Sequence, residues 1–385
     1  MMKLLRKALI GGFSIALLAG CAGEEDTVIM APVPVVDDQL SLDTEWTSRI
    51  GNGVEHYYSK LKPAYGYDKV FVASRDGVVS ALDPENGKRV WSQSLESDTI
   101  ARLSGGLTLS YGKVFIGTEN GEIIALDQES GEELWRETLD GEVLSTPLAD
   151  EGLVMVHSSQ GVLYAFDADS GNKKWQISSE VPSLTLRGDS SPVSISGGVF
   201  WGMSNGRLAA ALISKGQLLW QQPIGMPKGS TEIDRIVDVD STPLVLGGRL
   251  YTIGFNGQLV ALELRTGKAA WKRNYSSVTD LATDGGRIFV VTENDHVVAV
   301  DARSGTELWQ NEQLENRLLT APVLIEGHLV VGDSEGYLHW LSREDGSFVA
   351  QQQINDSGLT VAPILVDGSF VVTSRDGKLK KMKIN

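Results

Sequence analysis

Cysteine is almost missing from this chain of 385 residues: Cys21 is the single one. No disulfide can form within the chain and no cysteine-based metal site can be built. Histidine is sparse as well. His56, His157, His296, His328 and His339 are dispersed, with no pair at ligand spacing, so a metal centre or a histidine-based catalytic group has little support. Positive charge is in deficit, with 34 Lys and Arg against 50 Asp and Glu and a formal charge of −16. That balance argues against nucleic acid, whose phosphates demand a basic surface. Helix-like periodicity is rare, and no Gly-rich phosphate loop stands between a strand and a helix.

What the chain has instead is glycine, 42 residues of it, and a repeat. The clearest copy, Val114 to Leu139 (VFIGTENGEIIALDQESGEELWRETL), holds two apolar runs joined by Glu119-Asn120-Gly121, a second turn from Gln128 to Gly131, and a third run. The pattern reads strand, tight hairpin, strand, turn, strand. Asn-Gly suits the hairpin because both central residues need φ > 0. A further short run opens many units, as at Ser145-Thr146-Pro147-Leu148, and supplies a fourth strand. Four short antiparallel strands per unit are the signature of a propeller blade.

The hairpin position recurs eight times, at Gly77, Gly121, Gly161, Gly206, Gly257, Asp295, Gly336 and Gly377. Fourteen residues on stand Trp91, Trp135, Trp175, Trp220, Trp271 and Trp309, then Ala350; the eighth copy ends at Asn385 before reaching the position. Its missing strand is available at the other end of the chain, where Thr44 to Arg49 resembles the Trp-bearing strand of the second copy. The reading is therefore all-β: an eight-bladed β-propeller of four-stranded antiparallel blades over residues 40–385, closed by the N-terminal strand so that no edge of the array is left open. Length alone would allow two or three domains, but a repeat array shares its core between neighbours and counts as one.

Most conspicuous repeated residues have structural readings. Asp83, Asp127, Asp167 and Asp301 open turns that end in Gly and can bond backbone N–H groups two residues on; the calcium-loop alternative lacks the 12-residue ligand pattern and its terminal Glu. The Trp residues in register, with Trp46, read as wedges between adjoining blades. Trp201 and Trp340 fall outside the register, where core packing and exposure are both open. Two Gly-x-Ser-x-Gly matches, at Ser204 and Ser334, sit in strand-to-strand hairpins rather than at the strand-to-helix elbow a hydrolase needs. No catalytic residue, cofactor or metal is assigned.

The first residues read as a processing signal. Lys3, Arg6 and Lys7 precede an apolar run, Ala8 to Leu18, too short for a stable span, and Leu18-Ala19-Gly20-Cys21 follows. That tetrad resembles a bacterial lipobox, which implies a signal peptide over residues 1–20, cleavage before Cys21 and lipids, palmitate among them, on Cys21. Ala22 rather than Asp follows, and the resemblance then implies sorting to the outer membrane. Residues 21–39 carry acidic residues and prolines without strand rhythm and read as a flexible tether, able to reach on the order of 60 Å at about 3.3 Å per residue. Several acyl chains anchor firmly where one would not.

The repeat is most informative where it breaks. Successive Trp positions lie 44, 40, 45, 51 and 38 residues apart. The two long connections are Val181 to Pro192 and Pro223 to Pro243. The first carries Leu184, Leu186 and Arg187; the second adds Asp234, Arg235, Asp238 and Asp240. Apolar anchors, an Arg and rim charges have the composition of a protein-binding patch. Leucines packed beneath the loop, with merely solvated charges, fit the same composition, and residue type does not separate the two.

The unit A-L-D-x-x-x-G-x-x-x-W, in Ala81 to Trp91 and Ala125 to Trp135, resembles the repeat of pyrroloquinoline-quinone (PQQ) propellers. With the lipobox, the segments SLTLRGDSSP and STEIDRIVDVDSTP, and GDSEGYLHW at Gly332 to Trp340, the chain is similar to the lipoprotein scaffold family of the outer-membrane β-barrel assembly (BAM) machinery. The resemblance implies a non-catalytic scaffold, tethered on the periplasmic face of the outer membrane. Its partners would be the POTRA domains of the central barrel subunit, with unfolded outer-membrane proteins as clients. It also implies docking through Leu184, Leu186, Arg187, Asp238 and Asp240. A PQQ-dependent dehydrogenase shares the blade repeat and is the alternative; the vicinal cysteine pair of many such enzymes cannot exist here.

Overall fold

The computed structural model describes residues 28–57, 59–96 and 100–385. Cys21, the signal segment and the first part of the tether lie outside the described residues. Thirty-two strands among the described residues form eight four-stranded antiparallel sheets. Seven are consecutive in sequence. The eighth takes Ile364–Val366, Ser369–Thr373 and Lys378–Ile384 from the C-terminus and Leu42–Arg49 from the N-terminus. Leu42 pairs with Ile384 and Arg49 with Lys378, so the N-terminal and C-terminal strands are zipped together along their length, with one register shift between Thr44 and Trp46. The ring is closed as the sequence implies.

The middle strands explain why the repeat reads as apolar runs rather than clean alternation. Val114–Phe115–Ile116 and Ile123 to Leu126 are fully buried on both sides, because each blade packs face to face against two neighbours. Core clusters accordingly span adjacent blades: Phe71, Val79 and Ala81 of blade one share a cluster with Val114, Ile116 and Ile124 of blade two. Trp201 and Trp340 are both core residues, 1% and 0% exposed.

The Trp of each outer strand docks on the next blade. Trp91 donates its indole N–H to the Gln128 carbonyl at 3.1 Å, and Trp46 does the same to Pro84 at 2.9 Å. Trp135, Trp175, Trp271 and Trp309 bond the corresponding turns of their neighbours. Each ring covers the turn glycine: a methyl on Gly131 would stand 2.5 Å from Trp91 Cε3, and one on Gly267 2.8 Å from Trp220 Cδ2. The Asp-x-x-x-Gly turn and the Trp are thus two halves of one contact, made between blades. Asp127 and Asp167 cap their turns through Oδ1, which accepts the backbone N–H of Ser130 at 2.8 Å and of Ser170 at 3.0 Å.

That contact accounts for Ala350. Blade eight has its third and fourth strands at opposite ends of the chain and therefore no such turn, so a Trp at the end of blade seven would have nothing to dock on. In blades one to six an Ala on the third strand faces the Trp, as Ala125 faces Trp135. In blade seven the pair is inverted: Trp340 faces Ala350, and its ring meets Phe370 of blade eight at 5.4 Å between centroids.

The segment read as a tether is bound to the propeller from Ala31 onward. The Ala31 N–H donates to Glu315 O at 2.9 Å, the Gln39 N–H to Val349 O at 2.8 Å, and Asp38 Oδ1 accepts the Gln351 N–H at 2.8 Å. The strap covers the outer strand of blade seven, Phe348–Gln353, where Ala350 is 1% exposed. Arg317, itself 1% exposed, fixes its start by donating to Ala31 O at 2.7 Å. Arg317 also pairs with Asp333 at 2.8 Å, which shares Oδ2 with His339 Nε2 at 2.9 Å, and with Glu335. The stretch GDSEGYLHW is therefore a buried polar clamp on the N-terminal strap.

Candidate partner-docking surface

The hairpin between the second and third strands of a blade lies beside the connection that enters that blade from the preceding one. Backbone bonds from Glu119 N to Arg102 O, Ser159 N to Glu142 O and Phe255 N to Asp238 O hold the two together. One face of the disc therefore carries all the irregular connections, and the two long ones are neighbours on it, between blades three and four and between blades four and five. Ser183 Oγ donates to Glu232 Oε2 at 3.3 Å across the gap between them.

The five residues singled out for docking divide into two groups. Leu184 is 41% exposed and Arg187 also faces solvent; Leu186 is half-buried. Further apolar side chains stand exposed on the same two connections, Val181, Met226 and Ile233. Asp238 and Asp240, however, are buried, 1% and 3% exposed. They are not rim charges. Asp238 Oδ2 accepts the Leu186 N–H at 2.6 Å, so it fixes the backbone from which the leucine and the arginine project. Asp240 packs against Gly188, where a Cβ would lie 2.5 Å from its Oδ2. Composition could not reveal this, because the Asp-Val-Asp alternation looks the same on a rim as beneath one.

Burial sets the electrostatics of these acids. Desolvation raises Asp238 to about 7, against the Leu186 N–H that favours its charged form. It raises Asp240 to about 6, with Lys60 opposing. Asp189 is pushed well above its ordinary value by burial and by Asp240. Lys60 comes from the connection entering blade one and reaches across the disc, donating to Asp240 O at 2.7 Å and Asp189 O at 3.3 Å. It also counteracts the burial of Asp280, whose carboxyl ends below its usual range with help from Lys62 and the Thr242 N–H. Asp189, Asp240 and Asp280 are thus gathered within the field of a single lysine of this chain. Beside it is a recess of about 480 Å³ lined by Lys60, Lys62, Thr146, Thr279, Thr320 and Val361. Nothing in the blade repeat announces Lys60, since it lies outside every copy.

Arg187 is held from below. Its Nη2 lies 3.2 Å from Glu119 Oε2 and 3.4 Å from Glu142 Oε1. Glu119 receives Arg75 as well, through Nε at 2.8 Å and Nη2 at 2.7 Å, and the Arg75 guanidinium stacks on Tyr57 at 3.5 Å. Ser204 and Ser334 sit in hairpins, as their spacing implies, and Ser334 Oγ bonds Arg317 O at 3.0 Å. His157 is buried, and desolvation lowers it to about 4. Among the described residues no group of three or more His, Cys, Asp or Glu side chains is placed to hold a metal ion.

Fold and repeat together define an eight-bladed propeller of the PQQ-like class, with its least regular surface gathered on one face. The fold is shared with quinohemoprotein alcohol dehydrogenase from Comamonas testosteroni, at a TM-score of 0.71 over 89% of this chain and 76% of that one, with 14% identity. The family model for the outer membrane protein assembly factor BamB matches residues 75–311 and 293–385, and the chain belongs to that family. It is 67% identical to the BamB of Aliivibrio fischeri over the full length of both. The crystal structure of BamB from Moraxella catarrhalis superposes with a TM-score of 0.80 and 28% identity, covering 89% of this chain and 100% of that one.

Proposed function

We propose that this chain is an outer-membrane protein assembly factor of the BAM machinery. It acts as a non-catalytic scaffold, held by lipids on Cys21 at the periplasmic face of the outer membrane and docked to the POTRA domains of the central barrel subunit. The observation that carries the docking is the pair of enlarged connections: Leu184 and Arg187 project from a loop whose backbone Asp238 fixes and whose arginine Glu119 and Glu142 hold. Anchors presented by a preformed loop lose little entropy on binding; the exposed Leu184 offers apolar area beside half-buried Leu186, and Arg187 is of a residue type enriched at interface hot spots. Asp238 and Asp240 serve that surface from beneath. Unfolded outer-membrane proteins are the clients this scaffold would help position. The dehydrogenase reading rests on the shared fold alone.

Arg187→Ala and the double variant Leu184→Ala/Leu186→Ala test the docking. Each loses co-purification with the barrel subunit. For Arg187→Ala the unfolding free energy changes by less than about 1 kcal/mol, because its ion pairs are partly exposed. Retained co-purification in both variants removes the docking surface.

A further inference from the structure

Arg187 is a long, half-exposed side chain on a connection, and such a side chain samples many rotamers unless something holds it. What holds it is more buried than the arginine itself. The Glu119 side chain is 4% exposed, and it sits in the hairpin of blade two, not on either enlarged connection. Its Oε1 and Oε2 take Arg75 in a two-bond fork while Oε2 also faces Arg187 Nη2. Arg75 is fixed in turn, by stacking on Tyr57 and by backbone bonds that tie its N–H to Gly53 and its carbonyl to Leu103. One carboxylate between two guanidiniums is thus built into the rigid ring.

We infer that Glu119 is the positioning residue of the docking surface: it orients the Arg187 guanidinium toward an acidic group on the partner without touching the partner. This rests on the docking reading above. Two features of the geometry favour it. Glu142, the other carboxylate on Arg187, is 39% exposed and more distant, so it is the weaker constraint in water. The planar fork of an arginine must be aimed to form paired bonds with a carboxylate, whereas an ammonium need not be. A rigid Glu119 supplies that aim in the unbound protein. Glu119 also carries the charge that offsets Arg75, so the site stays near neutral and Arg187 provides the positive edge.

The test is a double-mutant cycle on the affinity of full-length mature protein for the purified periplasmic region of the barrel subunit. Glu119→Gln keeps the shape and removes the charge; it is expected to weaken binding about tenfold, the factor that corresponds to losing one well-aimed charged contact. In an Arg187→Lys background, where the fork is already gone, the same change is expected to cost less than about twofold. Equal losses in the two backgrounds mean that Glu119 acts through general stability, and this overturns the inference. No loss from Glu119→Gln, with binding still abolished by Arg187→Ala, overturns it while leaving the docking surface intact. Binding unaffected by Arg187→Ala overturns both.

Discussion

The buried acid beneath the second connection makes a quantitative prediction. Asp240 is 3% exposed, and desolvation lifts its carboxyl from 3.8 to about 6 in spite of Lys60. A folded value above the unfolded one means that the native state holds the proton more tightly, so this group favours the fold at low pH. The advantage is fully present below about pH 4, fades as pH rises, and is gone above about pH 6. A shift of about two units corresponds to roughly 3 kcal/mol. Relative to the protonated state, the wild type therefore carries a penalty of that order at neutral pH. Asp240→Asn keeps the volume and has no charge to bury. Urea unfolding of both proteins between pH 4 and 8 is the assay. The difference in unfolding free energy should grow in favour of Asp240→Asn from pH 4 to about 6 and then level off. Parallel curves across this range would mean that the carboxylate is solvated or fully compensated, and the burial argument would fail. The same reasoning separates the two acids from Arg187. Loss of partner binding in an Asp240 variant must come with a change in stability, whereas in Arg187→Ala it must not.

Two further perturbations probe the parts of the ring that position this face. Gly131 and Gly152 share φ of +74°, but a Cβ meets Trp91 at 2.5 Å in the first and nothing within 4 Å in the second. Both Ala variants bear the left-handed strain, about 1 kcal/mol, and Gly131→Ala should lose about 1–3 kcal/mol more from overpacking; equal unfolding midpoints would dismiss the Trp–Gly contact as a docking element. Arg317→Ala leaves Asp333 buried beside His339 without its guanidinium and unfastens Ala31. A loss of about 3–5 kcal/mol is expected, together with faster limited proteolysis ahead of residue 40; unchanged cleavage there would show that the strap does not depend on the clamp.

Several features were legible without coordinates because they are periodic. Eight hairpins at regular spacing, with an aromatic fourteen residues after six of them, dictate eight like sheets, and the truncated last copy dictates that the strand around Trp46 complete it. Local turn chemistry, as at Asp167 and Gly171, is equally a matter of adjacent residues. The strap was not legible. Ala31 to Gln39 has no alternation to read, since it is held by a few backbone bonds and a buried arginine nearly three hundred residues away. In sequence, Ala350 is only a position without its Trp and Trp340 a Trp out of register; the pairing of the two strands shows them to be an exchange of partners at one position.

The proposed docking surface shows the same division. Sequence alone determined where the ring departs from its repeat, because an inserted stretch is visible as lost periodicity. It also supplied Leu184 and Arg187, since apolar and cationic residues on a long connection are conspicuous. Tertiary structure alone decided that Asp238 and Asp240 lie beneath that surface, that Lys60 crosses the disc to meet the acids, and that Glu119 of another blade grips Arg187. The physical reason is that burial and charge pairing depend on what the closed ring brings together from distant copies. A carboxylate carries no mark in the sequence of whether water or a guanidinium will face it.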